Sequence, residues 1–168
     1  MNAQVPITKP NEADAFIVAV TRQFKADMQL AELALTRAKT DAARTMAARI
    51  RDDCERVLLD IARFSTRQNL VLSEPCTANQ ENLLECMRAM AKVDFDYVYV
   101  ERVAMHHRLE VQLLKQGQTI QIPEISALAS RLLAVIEARA ELSRQLSDRI
   151  DSLTASETHE PVRRSYRH

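Results

Sequence analysis

A single glycine, Gly117, serves a chain of 168 residues. Hairpin turns depend on residues that tolerate positive φ, glycine above all, so a sheet built from this chain would lack its corners. Five prolines add little further punctuation. Ala, Leu, Arg, Glu and Gln fill the long stretches between breakers, and all are good helix formers. The fold class that follows is all-α, with enough residues for one domain and a real core.

The apolar pattern supports this. Residues 1–11 contain two prolines and no period, and read as a flexible N-terminal arm. From Glu12, Phe16, Val20, Phe24, Met28, Ala31, Leu35 and Ala38 recur at helical steps. Asp41 is placed to cap a second helix, in which Met46, Ile50, Cys54, Val57, Ile61 and Phe64 share a face. "RQNLVLSEPCTANQ" breaks the period and reads as a connection. A short helix follows over about Gln80 to Ala91, interrupted at "KVD", and a longer one runs from Phe95 to Gln116. Gly117 is expected just past that helix, in a left-handed terminating conformation. Pro123 suits the first turn of a last helix ending near Leu153. Residues 154–168 are expected to form a disordered tail. Four long amphipathic helices that cannot bury their stripes alone make an antiparallel four-helix bundle over 12–153, with a short extra helix between the second and third long ones.

Composition excludes several function classes. Lys plus Arg and Asp plus Glu each total 23. A balanced charge gives no electrostatic case for nucleic acid, and four phenylalanines, three tyrosines and no tryptophan leave few stacking platforms. No apolar run approaches the roughly 20 residues of a membrane helix, so no membrane insertion is expected. The start "NEADAFIVAV" is acidic where a secretory leader would be basic. That predicts a cytoplasmic protein if Met1 is the native start, and a periplasmic one if a leader was removed. Cys54, Cys76 and Cys86 are odd in number and lack a CxxC pair, so neither a disulfide framework nor a zinc knuckle is expected. No glycine-rich phosphate loop, cofactor fingerprint or nucleophile–base pair can be placed, and no catalytic residue is assigned.

The informative residues are polar ones on apolar faces. "MHHRLEVQLL" sets His106 and His107 four and three residues before Glu110, one helical turn away. His107 and Glu110 are expected to face the interior, with His106 nearer a helix–helix seam. Asp27 lies among Phe16, Val20, Phe24 and Ala31. Cys54 lies between Ile50 and Ile61, with Asp53 at the rim. Arg139 shares the face of Leu128, Leu132 and Ile136, whereas Glu141 falls on the opposite, solvated face. Each long helix thus offers a polar group at middle depth, and buried charges must be paired.

From about Asp14 to Leu146 the chain resembles a bacterial domain-of-unknown-function family often labelled "predicted outer membrane protein", with a ferritin-like four-helix fold. The resemblance is carried by "AFIVAVTRQFKADMQLAELAL", whose Asp27 stands where the family has a Glu. "MAARIRDDCERVLLDIA" has Asp53-Cys54 for an Asp-His pair. "FDYVYVERVAMHHRLEVQLL" places Phe95, Asp96 and Tyr99 on a Phe-Asp-x-x-Tyr opening and His107 on the family histidine. "PEISALASRLLAVIEARAEL" has Ala134 and Arg139 where Pro and His are common.

The resemblance implies a converging metal site, from which this chain departs. Arg139 offers only donors and keeps its charge, so it cannot act as an ordinary ligand and repels a divalent ion. The expectation is therefore a degenerate metal site: a buried network of Asp27, Cys54, His107, Glu110 and Arg139, with Asp53 and His106 as outer partners and no cofactor. The protein is then non-enzymatic and works through a protein partner or self-association. One alternative is iron or zinc held by Asp27, Cys54, His107 and Glu110. The other is a thiol-based redox sensor at Cys54.

Overall fold

The computed structural model describes residues 12–69 and 77–157. The expected arm at 1–11, Cys76 and the tail from residue 158 onward lie outside them. The order is α1 (Glu12–Arg37), α2 (Asp41–Arg67), α3 (Ala78–Ala89), α4 (Lys92–Thr119) and α5 (Pro123–Glu157). Among the described residues the regular structure is all helical, in a four-helix-bundle-like arrangement. None of these helices is long and apolar enough to cross a membrane.

The packing defines the topology. Around the bundle, α1 packs against α2 and α4, α5 packs against α4 and α2, and α3 lies on α1. Short connections make α1 and α2 one antiparallel hairpin and α4 and α5 another. Thr40 meets Asp96 while Asp27 meets His106, so α1 and α4 run in opposite directions. The long connection carrying α3 therefore crosses the bundle from α2 to α4, which occupy one diagonal. The core runs the length of the bundle through Phe16, Phe24, Met46, Ile61, Phe95 and Leu128.

Several ends differ from the sequence expectation. The cap of α2 is Thr40, one residue before Asp41; its hydroxyl accepts from the Ala43 N–H, and Asp41 sits in the first turn. Asn69, with φ 55°, takes the left-handed position just past α2 that asparagine tolerates. "KVD" begins α4, and the break falls at Met90 and Ala91, both extended. Buried Asp96 then reaches across to α1–α2, accepting from the backbone N–H groups of Lys39 and Thr40 and from the Thr40 hydroxyl at 2.7–2.9 Å. The last helix continues past Leu153 to Glu157 because no glycine or proline interrupts the chain there.

Leu109 is exposed on α4, while His107 and Glu110 face inward as expected and His106 is buried with them.

Gly117 lies inside α4 and has no positive φ. Its role is close approach, not termination. A Cβ there would run into the Phe16 ring of α1 and come within 3.0 Å of the Ala129 methyl of α5. Gly117→Ala should gain about 1 kcal/mol of helix propensity and lose about 1–3 kcal/mol to overpacking. The expected outcome in thermal unfolding is a lowered Tm, restored by adding Phe16→Leu. A raised Tm in the single variant would show that the Phe16 ring yields freely.

Candidate functional site

Arg139 of α5 enters the middle of the bundle with its side chain fully buried. Desolvating a guanidinium is expensive, so each N–H must find an acceptor. Nε donates to His107 Nε2 at 2.8 Å, Nη1 to Cys54 Sγ at 3.4 Å, and Nη2 to Glu110 Oε2 at 2.5 Å and Asp27 Oδ2 at 3.4 Å. One side chain therefore bonds to α1, α2 and α4. The Phe24 ring lies 5.8 Å from the guanidinium carbon, a further cation–π contact.

Asp27 collects the remaining links. His106 Nδ1 donates to its Oδ1 at 2.5 Å, and Gln23 Nε2, one turn earlier on α1, donates to the same oxygen at 3.2 Å. His106 of α4 is therefore a direct partner of Asp27 across the α1–α4 contact. Gln23 was not singled out in the sequence, although it lies one turn before an inward aspartate; Phe24 was placed on the core face, and its contact with the guanidinium adds to that packing. Asp53 is buried, but its two oxygens take Arg49 and Arg56 of its own helix. It is no outer partner of the network: one residue's rotation, about 100°, carries it away from the face of Cys54. Tyr99, the tyrosine of the Phe-Asp-x-x-Tyr opening, is fully buried beside this cluster, and its hydroxyl has no hydrogen-bond partner among the described residues. Glu141 is exposed and paired with Arg144.

The protonation pattern follows from burial and neighbouring charge. Burial pushes Glu110 well above the carboxylate range, the Asp27 charge adds to this, and Arg139 only partly opposes it. Burial pushes Asp27 upward too, but bonds with His106 and Glu110 and the Arg139 charge outweigh it and hold Asp27 low. Burial and the Arg139 charge push His107 down to about 4. A neutral His107 is what an Nε2 accepting from Arg139 requires. Burial raises the Cys54 thiol far above its usual range. The cluster thus pairs the Arg139 cation with an Asp27 that holds its negative charge readily, while Glu110 holds its proton more tightly than a free carboxyl.

A divalent ion does not suit this donor set. The guanidinium bonds directly to Asp27, Cys54, His107 and Glu110, the residues that would be ligands. Among the described residues no group of three or more His, Cys, Asp or Glu is arranged to hold a metal.

The sequence model of a family described as "Domain of unknown function (DUF4142)" matches residues 2–146, a span that includes the whole cluster. No curated protein matches the chain. Among solved structures, a DUF305 fragment from Deinococcus radiodurans is similar, with TM-score 0.73 and 14% identity, over 86% of this chain and 99% of that one. At that identity the likeness concerns the fold alone.

Two outcomes follow from the cluster. Arg139→Met leaves Asp27 buried without its cation and should lower unfolding free energy by about 3–5 kcal/mol in urea titrations, whereas adding Asp27→Asn and Glu110→Gln recovers much of that. The second outcome concerns pH. Above about 4.5, the ordinary glutamate pKa, the folded protein holds at Glu110 a proton that the unfolded chain tends to release. Stability therefore declines as pH rises from there toward the raised folded pKa. His107, which titrates near 6.5 when unfolded and about 4 when folded, removes stability as pH falls through that window. Glu110→Gln should abolish the decline on the alkaline side and leave the His107 decline in place, as read by denaturation from about pH 4 to about pH 9.

Proposed function

The chain belongs to the DUF4142 family, and we propose that it is a non-enzymatic ferritin-like bundle protein in which Arg139 takes the place of a metal ion. The single crossover between α2 and α4 supports the ferritin-like reading, since bundles of that kind have one long connection. The observation that carries the proposal is the set of bonds from Arg139 to Asp27, Cys54, His107 and Glu110. A fixed positive charge with only donors fills the electrostatic and spatial role of a cation and repels another.

The interior is then a structural clamp, and activity belongs to the surface, through a protein partner or a second copy. The outer side of α4 offers exposed Tyr97 and Leu109 for such contacts, beside a groove of about 300 Å³ bordered by Glu101, Arg102, Met105 and Arg108. The thiol-sensor reading loses support here, because Cys54 is fully buried and its thiolate is strongly disfavoured.

Elemental analysis of protein purified without chelator or affinity metal, before and after incubation with iron or zinc, tests the proposal. The expected result is no stoichiometric metal in the native chain and zinc binding gained in Arg139→His, where a ligand replaces the cation. Near-stoichiometric metal in the native chain, lost in His107→Ala, would overturn it.

A further inference from the structure

The packing of α4 on α5 is incomplete at one level. Ala104 of α4 and Ala140 of α5 are too small to fill the space between the helices, and a pocket of about 280 Å³ remains. Its floor is formed by buried residues: Met46 of α2, Val103 and His107 of α4, and Ser143 of α5. Its mouth lies at exposed Ala104, Arg108 and Arg144. The surface presented to the space is almost wholly apolar.

Water in such a space finds few hydrogen-bonding partners, so an apolar group that displaces it is favoured. An apolar cavity of about 150 Å³ holds one benzene ring, and on that scale this pocket has room for roughly eight to ten carbons. Charge selects the other end of the ligand. Both charged residues of the lining are arginines, and no carboxylate lines the pocket among the described residues. Arg144 is shared between Glu141 and Asp148. Arg108 forms no ion pair among the described residues, and Glu101 lies beside it in the outer groove of α4, outside this pocket. The mouth therefore repels a cationic head group and attracts an anionic one.

We propose that this pocket binds an aliphatic carboxylate of medium chain length, with its chain against Met46, Val100, Val103 and Ala140 and its head group on Arg108. The apolar interior takes only the chain. The carboxylate stays at the mouth, where the guanidinium and water share its solvation. This site goes beyond the protein-contact reading and does not depend on whether Arg139 stands in for a metal.

Titration of the full chain with octanoate, kept below its critical micelle concentration and followed by methyl NMR, tests this. The expected result is saturable one-to-one shifts at the Met46, Val103 and Ala140 methyls. Arg108→Gln should weaken octanoate several-fold and leave the weaker binding of 1-octanol unchanged. Ala140→Leu, which fills the pocket from its wall, should abolish both. No saturable shift in the native chain, equal affinity for octanoate and 1-octanol, or binding retained in a folded Ala140→Leu variant would overturn the proposal. Shifts that follow protein concentration instead of octanoate would assign this face to a second copy of the chain and overturn it as well. Arg108 is exposed, so its variant keeps the fold, and the head-group comparison decides the matter if Ala140→Leu does not fold.

Discussion

The structure turns on a charge that cannot be removed. A guanidinium keeps its proton at any accessible pH, so once α5 buries Arg139 the surroundings must supply acceptors. Asp27, Cys54, His107 and Glu110 come from three different helices to meet it. Hydrophobic packing alone would allow these helices to slide or rotate by small amounts. A guanidinium bonded through all three of its nitrogens fixes depth and rotation at once, because its donors lie in one plane at set angles.

The same charge settles the protonation of its neighbours. With two buried carboxyls and one cation, full ionisation would leave a net negative charge in the core. Proton affinity is therefore raised at Glu110 and lowered at Asp27. The division follows from surroundings: bonds with His106 and Glu110 and the Arg139 charge favour the Asp27 anion, whereas burial and that same anion disfavour charge on Glu110. His107 stays neutral because burial and the Arg139 charge disfavour its protonation, which leaves Nε2 free to accept from Arg139. An assembly with this logic is a salt bridge with attendants, in contrast to a ligand cage that waits for an ion.

Much of the helical architecture was legible in the sequence, because a nearly glycine-free chain with a 3.6-residue apolar period has few ways to fold. Asp27, Cys54, His107, Glu110 and Arg139 could be placed on inward faces by that period alone. The relations between helices could not be read in this way. Gly117 looks like a terminator until Phe16 and Ala129 are brought against it from helices distant in sequence. Asp53 and Cys54 differ by one position and yet serve different surroundings. The two adjacent histidines of α4 differ in role only once α1 is packed against them, where His106 meets Asp27. The Tyr99 hydroxyl could not be judged unbonded without knowing what stood around it.

The crossover topology makes Arg139 a latch between two separate hairpins. Its partners His107 and Glu110 are 32 and 29 residues away, within the α4–α5 hairpin, whereas Cys54 and Asp27 are 85 and 112 residues away in the other. Loop closure favours the nearer pairs first. An isolated α4–α5 hairpin would hold Arg139 against an ionised, still hydrated Glu110. Docking of the α1–α2 hairpin buries that carboxylate and brings the Asp27 charge beside it, which raises its affinity for a proton. Assembly of the two halves is therefore linked to proton binding, and acidity favours the docked state through Glu110.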